Sequence, residues 1–214
     1  MIERFVTPGM GANCYLVSCE KTGKAILVDP GAGSRQIFDW VKKSKKDVQY
    51  IVLTHGHYDH IGAVEDLRKK LGVQVAIHKE DAEMLVDPQK NLSFFSGLNL
   101  SLEEAEIILE DNQILEVGEM KIKVIHTPGH TPGGICLLTP EGLISGDTLF
   151  DCSIGRADFP GGNLTTLVNS IKERLLVLDD DVRVFPGHET ETTIGREKRF
   201  NPYLNGTFNA NWNF

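Results

Sequence analysis

The 214-residue chain has no Cys-x-x-Cys pair, and its four cysteines, Cys14, Cys19, Cys136 and Cys152, are too few for a disulfide framework at this size. A reducing compartment fits that scarcity. Nowhere do about 18 uncharged apolar residues run together, which argues against a membrane-spanning helix. The opening Met1-Ile-Glu-Arg-Phe has no basic segment followed by an apolar one, so no secretory leader is read and a cytoplasmic location is expected. No Pro/Gly/Ser-rich linker or charge block interrupts the sequence. One domain over residues 1–214 is therefore expected, with 201–214 as a C-terminal tail whose Phe208, Trp212 and Phe214 pack on the chain, fray or meet a neighbour.

Positive charge is also scarce: 22 Lys and Arg face 30 Asp and Glu, for a formal net charge of −8. A general nucleic-acid binder needs clustered cations to neutralise phosphates, so that class is disfavoured. The one basic run, Lys42, Lys43, Lys45 and Lys46, reads as a solvated helix end. Apolar residues at 41% and charged residues at 24% are ordinary for a soluble globular protein, which excludes disorder and membrane classes.

What is present is a series of short apolar runs separated by turn residues. "NCYLVSCEKTGKAILVDPG" reads as two strands about Lys21-Thr22-Gly23-Lys24, the second ending at Asp29-Pro30-Gly31. Ser34 is suited to cap a helix with Ile37, Trp40 and Val41 on its apolar face. "VQYIVLT" is a buried strand, "AVEDLRKKLG" a helix stopped by Gly72, and "VQVAIH" a strand before a short helical stretch over 80–86. Residues 87–110 read as an irregular excursion over a cleft, with Phe94 and Phe95 as a lid wall or as core filling. Two strands in "QILEVGEMKIKVIHTPGHT", a hairpin at Pro140-Glu141-Gly142, a helix over "LTTLVNSIKERLLVL" and a last strand in "VRVFPGHE" complete the reading. Strands outnumber helices, yet both halves contain helices, so sheets with helices outside them are expected.

Several strands run into residues able to bind metal. "LTHGHYDHIGA" places His55, His57, Asp59 and His60 within six positions after a buried strand. Imidazole nitrogen and carboxylate oxygen suit zinc, iron or manganese, and a polar cluster beside a buried strand needs the compensation that a cation provides. His55 and His57, two apart in extended chain, point the same way and can share one ion, while Asp59 and His60 serve a second. One loop cannot supply both sites. His130, Asp147 and His188 are the further candidates at strand ends, giving His55/His57/His130 and Asp59/His60/His188 with Asp147 bridging. His78 reads as structural, His126 as either structural or a donor behind His130, and Cys152 as packing rather than a nucleophile, since no base is placed for it.

These motifs, with "LVDPG", "HTPGHTPGG", "GDTLF", "SIGRADFPGG" and "FPGHETETTIG" in order along nearly the whole chain, resemble the metallo-β-lactamase-fold superfamily. The likeness is to its compact, single-domain glyoxalase II-like branch. The resemblance implies an α/β (α+β) fold, a four-layer αββα sandwich with two divalent metal ions, zinc foremost, at one edge of its sheets. It also implies that Asp29 orients ligands without binding metal. Two cations would lower the pKa of shared water so that hydroxide exists near neutral pH, and would stabilise the oxyanion formed on a carbonyl. Asp59 and Asp147 are the expected catalytic carboxylates.

Resemblance to glyoxalase II (hydroxyacylglutathione hydrolase) implies a thioesterase acting on a small-molecule thioester such as S-lactoylglutathione, with Arg156 near the family's basic glutathione contact. Two departures weaken the glutathione assignment. The family's C-terminal helical domain has no counterpart after "REKRFNPYL", and Thr190 stands where the family has a tyrosine. Rivals are a persulfide dioxygenase holding one iron at His55, His130 and Asp147, a lactonase or β-lactamase, a nuclease, and a non-enzymatic metal binder. Oligomeric state is not read from the sequence.

Overall fold

The protein, a computed structural model described over residues 1–206, builds two six-stranded sheets and a two-stranded ribbon. Phe208, Trp212 and Phe214 lie outside the described residues. The first sheet runs in chain order through β1 (Ile2–Val6), β2 (Asn13–Ser18), β3 (Lys24–Val28), β4 (Asp47–Val52), β5 (Gln74–His78) and β6 (Ile107–Leu109). Pairing is antiparallel from β1 to β3 and parallel from β3 to β6. The parallel crossovers carry α1 (Ser34–Ser44), the single turn α2 (Tyr58–Ile61) and α3 (Val64–Leu71).

The second sheet uses β7 (Ile114–Val117), β8 (Met120–His126), β9 (Ile135–Thr139), β10 (Gly142–Gly146), β13 (Arg183–Pro186) and β14 (Thr192–Thr193), in the order β14-β13-β10-β9-β8-β7. The ribbon β11 (Leu149–Phe150) and β12 (Ser153–Ile154) follows β10; α4 (Leu164–Ser170) and α5 (Ile194–Phe200) flank the sheet.

The period of two along each strand explains the layers. On β2, Tyr15 and Val17 join Ile26 and Val28 of β3 in a core shared with Ile122, Val124, Leu137 and Ile144 of the second sheet. Their neighbours Cys14, Leu16, Ala25 and Leu27 face the other way, against Ile37 and Val41 of α1 and Leu67 of α3. A third cluster joins Cys136, Leu143 and Val184 to Leu167, Ile171 and Ile194. Three cores between four layers make the αββα sandwich. A central strand such as β2, buried at all six positions, reads as an apolar run because both faces are covered. Each fully buried Leu or Ile there contributes roughly 1.5–3 kcal/mol. Among the described residues no helix is long and apolar enough to cross a membrane.

Four details differ from the sequence reading. Gly33, with φ 77°, occupies the position before α1 and offers no side-chain cap; Ser34 is inside the helix and donates instead to Asp66 Oδ2 at 2.8 Å. The stretch after Asn163, whose side chain caps at Thr166 N, is α-helical only to Ser170 and then widens into a π-turn over Ile171–Leu175. The excursion after β5 is irregular as far as 106, but Ile107–Leu109 pairs with β5 as the sheet's last strand. β1 was not legible as a strand: it is a short edge carrying Glu3 and Arg4, as edge strands do when they resist pairing with other chains.

Candidate metal centre

The ends of β3, β4, β8, β10 and β13 lie along one rim, and the loops leaving them supply the polar cluster. Asp29 follows β3 directly; His55 and His57 follow β4 and Asp59 and His60 ride on α2; His130 follows β8; Asp147 follows β10; His188 follows β13. Parallel pairing of β3 with β4 and of β10 with β13 aligns these ends, so side chains as far apart in sequence as Asp59 and His188 meet. The His188 loop is fastened from below. Asn13 N donates to the Gly187 carbonyl at 2.7 Å, Asn13 Nδ2 and Tyr15 Oη donate to Pro186 O at 2.9 and 2.7 Å, and Gly187 N donates to Gly146 O at 2.7 Å. A Cβ on Gly187 would collide with Asp147 Oδ1, which is why glycine stands there.

Two sets of donors form. Ligand atoms of His55, His57 and His130 lie within 4.8 Å of one another, and so do those of Asp59, His60 and His188. His57 Nδ1 faces His130 Nε2 at 2.9 Å, and His60 Nε2 faces His188 Nε2 at 3.2 Å. Asp147 lies between the sets, with Oδ1 3.4 Å from His60 Nε2 and Oδ2 3.6 Å from His130 Nε2 and 3.7 Å from His188 Nε2. His55, His57, His60 and His130 are buried, while Asp59, Asp147 and His188 are half-buried and face a cleft of about 410 Å³.

The hydrogen bonds behind the rings set which nitrogen is free. His130 Nδ1 donates to the Arg156 carbonyl at 2.6 Å, leaving Nε2 bare. Thr54 donates its amide and hydroxyl to the two Asp29 oxygens at 2.8 and 2.6 Å, so its oxygen accepts from His55 Nδ1 at 3.1 Å. His60 Nδ1 donates to Asp29 Oδ2 at 3.1 Å. Asp29, at φ 50°, is therefore behind the rings: it lies close enough to His55 and His60 to complete a donor trio, but its oxygens are spent orienting them. After this accounting, His55 Nε2 and Asp147 Oδ1 are buried with no hydrogen-bond partner. Orphaned lone pairs of this kind cost about 1–3 kcal/mol each, and a cation is what satisfies several converging ones at once.

Charge is arranged in the same sense. Burial and the neighbouring imidazoles hold His55 well below the ordinary imidazole range, and burial with His130 brings His57 down to about 3, so both stay neutral. At His60 burial also works downward, but the carboxylates of Asp147, Asp59 and Asp29 outweigh it and raise the ring to about 10. His188 is raised too, by Asp59 and Asp147 against burial. Burial alone would raise Asp59; His60 and His188 overcome it and keep the carboxylate ionised. The carboxylates around the second set thus favour positive charge at its imidazoles, the sign of charge that a bound divalent cation would supply.

Asp81 was missed by sequence reasoning. Fully buried after β5, its Oδ2 accepts from Gly56 N at 3.2 Å and Thr131 Oγ1 at 2.7 Å, and its Oδ1 from Gly133 N at 2.6 Å. It ties the loop of His55 and His57 to the loop of His130. In "HKEDAEM" it resembles any acidic residue of a helical first turn, so only the fold discloses it.

Other candidates fall outside the cluster. His78 and His126 stack on each other at 4.1 Å; His78 Nδ1 accepts from Glu80 N, and His126 Nε2 donates to Pro132 O, not to His130. Asp151, Cys152 and Glu197 approach one another, but Glu197 is taken up by Thr192, Asn201 and the Cys152 amide, and Arg196 bonds Asp151. Arg156 lines the metal cleft, its guanidinium paired with both Asp158 oxygens and lying over Phe159 at 4.2 Å. Thr190 lines a separate cleft with Arg4 and Arg183.

Comparison with known proteins agrees with this architecture. Residues 7–188 match the metallo-beta-lactamase superfamily. An uncharacterised protein of Aquifex aeolicus is 40% identical over 98% of this chain and 100% of its own, and hydroxyacylglutathione hydrolase GloC of Haemophilus influenzae is 35% identical over 95% and 98%. Among solved structures, BLEG-1 B3 metallo-beta-lactamase superposes with TM-score 0.91 at 34% identity, covering 95% of this chain and 99% of that one. TTHA1623 in a di-iron-bound form gives 0.82 at 33%, over 94% and 100%, and ETHE1 from Myxococcus xanthus 0.80 at 27%, over 96% and 85%. The sandwich, the rim of converging loops and these likenesses agree: the chain belongs to the metallo-beta-lactamase superfamily.

Proposed function

We propose that the protein is a binuclear metal-dependent hydrolase of glyoxalase II type, cleaving S-lactoylglutathione or a related thioester. The observation that carries this reading is the pair of orphaned buried atoms, His55 Nε2 and Asp147 Oδ1: the first belongs to one of two converging sets of three donors and the second lies between the sets. His55, His57 and His130 would hold one divalent ion, Asp59, His60 and His188 the other, with Asp147 shared; zinc is the first choice, and iron or manganese take the same donors. Such a pair supplies water acidified to near neutrality and stabilises charge developing on the carbonyl oxygen.

The chain's own residues do the rest. Asp59, which lines the cleft, would accept the proton lost by attacking water and return it to the departing thiolate sulfur. Asp147 keeps the two sets in register, and Asp29 fixes His60. The partner is a small-molecule thioester, with no nucleic acid or membrane involved, and the location is cytoplasmic. A single iron on His55, His130 and Asp147, the rival dioxygenase, would leave Asp59, His60 and His188 convergent without use.

Elemental analysis of purified protein alongside S-lactoylglutathione hydrolysis tests the reading. Two ions per chain with chelator-sensitive turnover is expected, and His57→Ala should lose metal and activity together. One iron per chain, oxygen uptake with glutathione persulfide and no hydrolysis would overturn it, as would a fully active His57→Ala variant with normal metal content.

A further inference from the structure

Beside the metal cleft lies a second cavity of about 410 Å³ lined by Tyr58, Leu92, Phe95, Ser96, Phe159 and Pro160. Tyr58, Leu92 and Phe159 line both, so the two adjoin. Tyr58 stands between His57 and Asp59 in sequence, and Phe159 meets the His57 ring edge-on at 5.8 Å. The side cavity therefore begins beside the metal-facing residues.

Its outer wall is held in place. Asn91, fully buried, donates to the Met84 and Leu100 carbonyls at 2.8 Å each and accepts from Ser93 N, while its carbonyl accepts from Tyr58 N at 2.9 Å. That last bond fastens the wall to the metal-bearing loop. Leu92 then adopts φ 68°, a left-handed conformation that a leucine enters at a cost and that turns the following residues over the cleft. Phe95, at the mouth, is 71% exposed, an apolar area that folding leaves unused.

Charge points the same way. Among the described residues no ionisable group other than Tyr58 lines the side cavity, and Arg156 is the one Lys or Arg lining either. Its guanidinium already holds the Asp158 carboxylate at 3.0 and 2.7 Å with its face on Phe159, and Glu189 adds a second carboxylate to the cleft. An anionic substituent would have to displace Asp158; an apolar one meets aromatic and aliphatic surface without competition.

We infer that the cavity of Leu92, Phe95 and Phe159 is a specificity subsite that receives an apolar substituent of the thioester, one of several carbons, adjacent to the scissile bond. This rests on the thioesterase reading of the same centre. Burying one methylene in a half-open groove is worth roughly two- to fourfold in kcat/KM.

Two series of thioesters given to the metal-loaded protein test it. In one, acyl groups from acetyl to hexanoyl are joined to N-acetylcysteamine; in the other, acetyl thioesters carry straight-chain thiols from ethanethiol to hexanethiol. A rise of at least about tenfold along the first series is expected if the acyl group occupies the subsite, and along the second if the thiol does. Phe95→Ala, a change at an exposed side chain, should collapse the rise to within about threefold, and Phe95→Leu should restore most of it. Hydrolysis of every compound with no dependence on length in either series overturns the subsite and leaves the thioesterase standing. A rise that survives Phe95→Ala unchanged also overturns it. No hydrolysis of any thioester by protein holding two ions defeats both readings.

Discussion

Replacing Asp81 by asparagine should separate the two metal sets. The carboxylate accepts three hydrogen bonds, from Gly133 N on one oxygen and from Gly56 N and Thr131 Oγ1 on the other. An asparagine keeps one acceptor oxygen. Its best arrangement leaves that oxygen on Gly133 and turns the amide toward Thr131, whose hydroxyl can rotate to accept. The Gly56 amide, between His55 and His57, is then buried without a partner. One orphaned backbone donor costs about 1–3 kcal/mol, and exchange of charged for neutral acceptors adds to it, so a loss of about 2 kcal/mol in unfolding free energy is expected. The loosened loop carries two of the three donors of the first set and none of the second set's side chains is bonded to Asp81. Metal affinity should therefore fall by about 10–100-fold for one ion and change little for the other. Urea denaturation of chelator-treated protein reads the first effect, and stepwise titration with cobalt, followed by its visible absorption, the second. Stability unchanged within about 0.5 kcal/mol together with two undisturbed binding steps would refute the clamp.

Three other expectations follow from the same geometry. Gly187→Ala places a methyl against Asp147 Oδ1 and 2.9 Å from His60 Cε1, and should cost about 1–3 kcal/mol and lower metal content at the Asp59/His60/His188 set. An alanine variant that loads two ions and melts like the parent would show the approach to be looser than drawn. Asp29→Asn, which loses an acceptor shared by Thr54 and His60, should weaken metal binding without abolishing folding, read by competition with a coloured chelator; undiminished affinity would remove Asp29 from the assembly. His78 is lowered to about 4 by burial first and then by the stacked His126. Its neutral form is the folded one, so its contribution is complete above pH 6.5, where the unfolded chain is neutral as well, and is lost as pH falls toward 4. Because water reaches the half-buried His126 beside it, the loss is about 1–2 kcal/mol rather than the full shift. His78→Asn keeps an acceptor for the Glu80 amide, and its urea-denaturation free energy should fall less steeply over that interval; an unchanged slope would contradict the assignment.

The cluster of donors was legible in the sequence because it is concentrated. Four donors in six residues after a buried strand need compensation wherever the chain goes, and "HTPGHTPGG", "GDTLF" and "FPGHE" each end a strand on one more donor. The apolar runs of β2 and β3 on either side of a turn were legible as strands for the same local reason. What failed locally failed where neighbours decide. Ser34 had the chemistry of a cap, yet the left-handed Gly33 took that position and Asp66 of the next helix claimed the hydroxyl. Ile107–Leu109 became a strand because β5 offered it an edge.

Sequence by itself thus determined the type of donor, its number and its attachment to strand ends, since side-chain chemistry and backbone periodicity are local. Tertiary structure alone decided which imidazole nitrogen is free, which bonds hold Asp29 behind the rings, and that Asp81 clamps the two donor loops together. Those are matters of register between parallel strands and of bonds across 25 to 50 residues of chain, and no local pattern encodes a distance.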